Sequence, residues 1–90
     1  MYTMNVYVIM KNHNRRFVEE IYDEKVAVMR QVFHVTYVNQ PILGEKLAIS
    51  IGSEDEAILD KTAEKIISIF KKHYIKCEVE DVWRKFGQRE

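Results

Sequence analysis

The stretch from Ser53 to Tyr74, SEDEAILDKTAEKIISIFKKHY, constrains the chain more than any other, because it reads as one long helix with a face that the rest must cover. Ser53 and Glu56 have the spacing of a capping box, in which the hydroxyl accepts from a first-turn N–H and the carboxylate reaches back to the cap. Glu54, Asp55 and Glu56 place negative charge at the positive end of the helix dipole, and Lys71, Lys72 and His73 place positive charge at the other. Ile58, Leu59, Ala63, Ile66, Ile67, Phe70 and Tyr74 recur at three- and four-residue steps, while Asp60, Lys61, Glu64, Lys65 and Ser68 fill the opposite side. A helix so patterned packs on a second layer.

The remaining residues supply that layer. From Thr3 to Lys11, Met4, Val6, Val8 and Met10 alternate with Thr3, Asn5, Tyr7, Ile9 and Lys11, the two-residue period of a strand. Asn14 is a good N-cap, and from Arg15 to about Phe33 the period becomes helical, with Val18, Ile21, Tyr22, Val28, Met29, Val32 and Phe33 on the inward stripe. Glu19, Glu20, Asp23, Glu24, Ala27, Arg30 and Gln31 fall outward. A valine-rich strand over Lys25–Val38 competes with the second half of this helix. Val35–Val38 reads as a short second strand, and Asn39 to Glu45, with its Pro41 and Gly44, as a turn or loop. Lys46–Ile51 alternates again, Leu47, Ile49 and Ile51 inward and Lys46, Ala48 and Ser50 outward. After the long helix, Ile75, Cys77 and Val79 alternate with Lys76, Glu78 and Glu80 as a last strand.

The order β-α-β-β-α-β is that of the ferredoxin-like split βαβ sandwich, and right-handed crossovers favour an antiparallel sheet in the order 4-1-3-2 with two helices on one face. With 90 residues the chain encloses one core, so a single α+β domain is expected over residues 1–83, followed by a polar tail at 84–90. In that tail Trp83 and Phe86 stand among Arg84, Lys85 and Arg89, and Trp83 reads as a packing cap over the end of the sheet.

Composition excludes several classes of function. Lys plus Arg and Asp plus Glu number 14 each, so no global field draws in a polyanion and any such site has to be a local patch. The apolar run at the N-terminus lacks a preceding basic region and a small-residue cleavage site, and it is far too short to cross a bilayer. With one cysteine there is no internal disulfide, and a reducing, cytoplasmic setting is the natural expectation. The three glycines, Gly44, Gly52 and Gly87, are too scattered for a phosphate loop. His13 and His73 have no partners at ligand spacing, and His34 reads as a junction residue, so neither a metal nor another cofactor is expected. Cys77 falls on an inward strand face, where a thiol is a small hydrophobe rather than a nucleophile. No pair of carboxylates is placed for acid–base chemistry, and the run Glu19, Glu20, Asp23 and Glu24 reads as a solvated helix face.

Two surfaces remain as candidates. The expected topology gathers Lys11, His13, Arg15 and Arg16, after the first strand, near Lys71, Lys72, His73 and Lys76, after the long helix. Such a basic end suits phosphates or nucleic acid, and equally complements a helix dipole. The open sheet face carries Tyr7 and Ile9 beside the small Ala48 and Ser50. One aromatic is too few for a base-stacking platform, and the mixture suits a protein contact better. Together with Val35, Tyr37 and Val38 on the edge strand, these residues make homodimerisation the first expectation. Nucleic acid or a phosphate-bearing ligand is the second. The chain reads as a non-enzymatic interaction or regulatory domain.

Overall fold

A computed structural model of the chain describes residues 1–37 and 41–82. The expected Val38 and the aromatic tail with Trp83 and Phe86 lie outside the described residues. The elements are β1 (Tyr2–Ile9), α1 (Arg15–Ile21), a π-turn (Tyr22–Val26), α2 (Met29–Phe33), β2 (Thr36–Tyr37), β3 (Ile42–Leu43), β4 (Lys46–Ser53), α3 (Glu56–Lys71) and β5 (Cys77–Glu80). The sheet runs β2-β4-β1-β5 and all its pairings are antiparallel, so with β4 and β5 as third and fourth strands the 4-1-3-2 ferredoxin-like order holds. The segment expected as a loop contributes one further pairing. Ile42 and Leu43 lie opposite Leu47 and Lys46, in a hairpin turned at Gly44, whose φ of 64° is a conformation glycine adopts without steric penalty.

Alternation builds the core. Met4, Val6 and Val8 of β1 and Leu47, Ile49 and Ile51 of β4 point to the helical layer and are buried there against Leu59, Ala63, Ile66 and Phe70 of α3. Val18, Ile21, Tyr22, Val26 and Met29 complete that cluster from the first helical region. Thr62 is also fully buried, and its hydroxyl donates to the Ile58 carbonyl at 2.7 Å, so α3 buries a polar group without stranding it.

The first helical region departs from its expected stripe. A continuous α-helix places Lys25 three and four residues from Tyr22 and Ile21, in the middle of the buried face. The structure instead inserts a π-turn, in which the Ala27 N–H reaches the Tyr22 carbonyl at 2.9 Å. That extra residue rotates everything after it: Lys25 becomes exposed and Val26 fully buried. Val28 and Val32, both expected inward, are 61% and 71% exposed, whereas Ala27, expected outward, packs partly on the core. His34 then ends α2 in the left-handed conformation, at φ 53°.

Both ends of α3 also differ from the capping-box reading. β4 continues to Ser53, which pairs with Tyr2, so Ser53 is still extended. Asp55 is the N-cap, its carboxylate accepting from Ala57 N–H at 2.8 Å and Ile58 N–H at 3.4 Å, and Ser53 Oγ accepts from Asp55 N–H. At the other end Ile75 N–H bonds to the Phe70 carbonyl and Tyr74 N–H to that of Lys71. This is a Schellman closure with Tyr74 in its left-handed position at φ 61°. Tyr74 therefore leaves the helical stripe and is 91% exposed.

Candidate interaction surfaces

The face of the sheet away from the helices is set by register. Asn5 lies opposite Ser50 and Glu80, Tyr7 opposite Ala48 and Glu78, and Ile9 opposite Lys46, so all of these side chains share that face. They are joined by hydrogen bonds. Ser50 Oγ donates to Asn5 Oδ1 at 2.7 Å, and the Asn5 amide nitrogen donates to the Tyr7 hydroxyl and to Glu80 Oε1, both at 3.3 Å. The Tyr7 hydroxyl itself donates to Glu80 Oε1 at 3.3 Å. Lys46 Nζ lies 5.7 Å from the centre of the Tyr7 ring and 3.9 Å from Glu78 Oε2. Ala48, expected on the accessible part of this face, is only 5% exposed. Its neighbours explain this: Tyr7 lies beside it on one strand, and on the other side its N–H donates to the Pro41 carbonyl. The face thus offers a linked polar array with Ile9 half-buried at one end.

The expected edge strand Val35–Val38 is described as far as Tyr37. Val35 is buried in the core, and β2 is two residues long, with Tyr37 at the register position opposite Ile51. β2 and β3 both lie against β4, so that edge is made of two short pieces.

The other edge is continuous. Ile9 N–H donates to the Lys76 carbonyl at 2.8 Å, which fixes the ladder phase: Lys76, Glu78 and Glu80 turn their main-chain groups toward β1, and Cys77 and Val79 turn theirs outward. Among the described residues β5 pairs with β1 alone. Beside its start lies an open trough of about 500 Å³, lined by Ile67, Lys71, Tyr74, Ile75, Lys76 and Cys77. Val79, expected inward, is on the helical side, opposite Val6, but on the outer strand it is 43% exposed. Burial pushes the Cys77 thiol up to about 12 from an ordinary value of 9.0, so at neutral pH it stays protonated. Sequence reasoning did not single out this edge. The signal was present in the strict alternation of Lys76, Glu78 and Glu80 with Cys77 and Val79, read together with the strand order that makes β5 terminal.

One contact joins the segments that carry the two groups of basic residues. The Phe17 ring meets His73 edge-on, with centroids 5.5 Å apart and planes at 86°, which joins the start of α1 to the end of α3. Lys11 is exposed in the turn after β1, and the His13 N–H there donates to the Met10 carbonyl. Arg15 and Arg16 are turned along their own helix, pairing with Glu19 at 3.0 Å and Glu20 at 3.4 Å. Their N-cap, Asn14, already accepts from Arg16 N–H and Phe17 N–H. Lys11, Lys71, Lys72 and Lys76 are exposed and, among the described residues, outside any ion pair.

Among the described residues no three His, Cys, Asp or Glu side chains cluster as a metal site, and no helix is long and apolar enough to cross a membrane. No protein-family model matches the chain, and no curated protein matches its sequence. Among the described residues the surface thus carries a β5 edge paired on one side only, an apolar trough beside it, a polar sheet face, and exposed lysines on the segments joined by the Phe17–His73 contact.

Proposed function

We propose that this protein is a non-enzymatic interaction domain that self-associates through its sheet, in a reducing, cytoplasmic setting. The observation that carries the reading is the β5 edge, with outward main-chain groups at Cys77 and Val79 and an exposed apolar side chain beside an apolar trough. An edge of this kind is a template for a further strand, and a second copy is the partner always present at equal concentration. Beside that edge, Asn5, Tyr7, Ser50 and Glu80 hold one another in hydrogen bonds and so keep the sheet face ordered next to the proposed contact. Sedimentation equilibrium from low to high micromolar concentration tests this. A mass that rises toward twice the monomer supports it, and a constant monomer mass at high micromolar concentration removes it.

A second reading rests on the Phe17–His73 contact, which supports a shared basic end. In it Lys11, Lys71, Lys72 and Lys76, with His13, His73, Arg15 and Arg16 around them, take a phosphate-bearing ligand or nucleic acid. Phosphate contacts release counterions, so binding to mixed RNA has to weaken between low and high salt. It also has to weaken when Arg15 and Arg16 are changed to Ala. Affinity indifferent to both ends this second reading.

A further inference from the structure

The geometry points to a specific pairing for that self-association: β5 lies antiparallel to β5 of a second copy across a two-fold axis at Cys77, with Lys76 of each copy opposite Glu78 of the other. The inference rests on the self-association reading and names the interface and its register.

The ladder phase limits the choices. Because Cys77 and Val79 turn their N–H and C=O groups outward, a symmetric antiparallel partner bonds to these residues, and the axis falls on a pair drawn from them. Three registers satisfy this, and charge separates them. With the axis at Val79, Glu78 faces Glu80 twice, which sets like charges opposite one another at two positions. With the axis at Glu78, Lys76 faces Glu80 twice, but the two Glu78 carboxylates meet on the axis. With the axis at Cys77, Lys76 faces Glu78 twice, sharing that carboxylate with Lys46 of the same chain as Glu78, and no like charges lie directly opposite one another. That register also places the exposed Val79 of each copy opposite Ile75 of the other, beside the trough bounded by Ile67, Tyr74 and Cys77. One contact thus covers the exposed valine and closes the apolar trough, and two-fold symmetry does so twice. Among the described residues the opposite sheet edge offers strands of only two residues each.

Tyr74 fits the same contact. It holds a left-handed conformation that favours glycine, and it presents a whole aromatic ring to solvent at the rim of the trough. A second copy lying across the trough buries part of that ring.

The test uses the full chain and sedimentation equilibrium on four variants. Lys76→Glu and Glu78→Lys are each expected to weaken the dimer about tenfold, because each sets like charges opposite one another at two symmetric positions. The double variant K76E/E78K restores the pairing with its signs exchanged and is expected to recover the wild-type constant within about threefold. Val79→Pro removes an outward N–H that takes no part in the β1–β5 ladder, and it is expected to abolish the dimer. Circular dichroism checks that each variant is folded, and the charge variants decide the matter should the proline variant fail to fold. Carbodiimide treatment of mixed light and 15N-labelled chains gives the last readout, an interchain amide between Lys76 and Glu78. A wild-type protein that stays monomeric overturns the functional reading together with this one. A dimer that ignores the single inversions, gains nothing from the double one and yields no interchain Lys76–Glu78 amide leaves self-association standing and overturns this interface.

Discussion

Replacing Val26 and Val28 by alanine, one at a time, tests the π-turn directly, because the two valines exchange places according to whether the turn forms. In a continuous helix Val28 belongs to the buried stripe, whereas with the turn Val26 is fully buried and Val28 is 61% exposed. Val26→Ala removes two methyl groups from the core, worth about 1.6 kcal/mol in transfer at about 0.8 per group, and a residual cavity brings the expected loss to about 2–3 kcal/mol. Val28→Ala loses little packing and gains helix propensity, so its expected effect lies within about 0.5 kcal/mol of zero and leans toward stabilisation. Urea unfolding followed by circular dichroism reads both. With a slope of about 1 kcal/mol/M for a domain of this size, the midpoint of Val26→Ala falls by about 2–3 M, while that of Val28→Ala hardly moves. Equal losses, or a larger loss at Val28, would falsify the placement of the turn and with it the exposure of Lys25.

Other substitutions check the helix ends and the half-buried Cys77 thiol. Asp55→Ala removes the acceptor for two first-turn N–H groups and is expected to cost about 1 kcal/mol, measured by the same urea titration; a larger loss from Ser53→Ala would return the cap to Ser53. In the monomer, at low protein concentration, Tyr74→Gly relieves a left-handed residue that buries almost nothing, and its melting temperature is expected to rise with a gain of about 1 kcal/mol. Because the Cys77 thiol is raised from 9.0 to about 12, both folded and unfolded chains hold its proton below about pH 9 and it contributes no pH dependence there. Above pH 9 the unfolded chain ionises first, so stability falls progressively toward pH 12. Wild type is expected to lose stability relative to Cys77→Ala between pH 8 and 10.5, and parallel curves for the two would show the thiol to be solvated.

How much of this was legible depended on whether local pattern or tertiary packing decided each residue. Met4, Val6 and Val8 and their partners Leu47, Ile49 and Ile51 alternate cleanly, and the order of strands and helices then left few sheets to choose from, so the two-layer plan could be read directly. The π-turn left one trace, a lysine at position 25 in the centre of an otherwise apolar stripe. Periodicity alone passes over such a residue, because the conflict can be resolved either by exposing it through a helix irregularity or by letting its aliphatic stem reach solvent. Ser53 and Asp55 are both good caps, and the choice between them was made by how far β4 stays paired with β1, which is not a local property. Val79 and Ala48 lie on the expected sides of the sheet and differ only in burial, for a related reason. Strand alternation gives the side of the sheet but not how far an edge residue is covered from its flank, nor whether a neighbouring tyrosine covers a small one. Arg15 and Arg16 pair with Glu19 and Glu20 along their own helix, a choice of rotamer that the sequence spacing permits but does not impose.

Lys76 connects the two readings of the surface, and the connection has a consequence of its own. It is one of the exposed lysines of the basic end, and it is also the residue set opposite Glu78 of a second copy. A polyanion seated on that end competes for the charge that the dimer uses, and linkage makes the effect reciprocal: each form of binding weakens the other by the same factor. Adding inorganic polyphosphate is therefore expected to raise the dimer dissociation constant by up to about tenfold at low salt, and progressively less as salt screens both interactions. The Lys76→Glu variant, already deprived of the pairing, is expected to respond far less. A dimer constant that stays fixed while polyphosphate binds would place the anion on Lys11, Lys71 and Lys72 without Lys76, and would separate the two surfaces. A shift that persists undiminished in Lys76→Glu would instead mean that the anion acts on the dimer through some other residue, and would refute the shared role of Lys76.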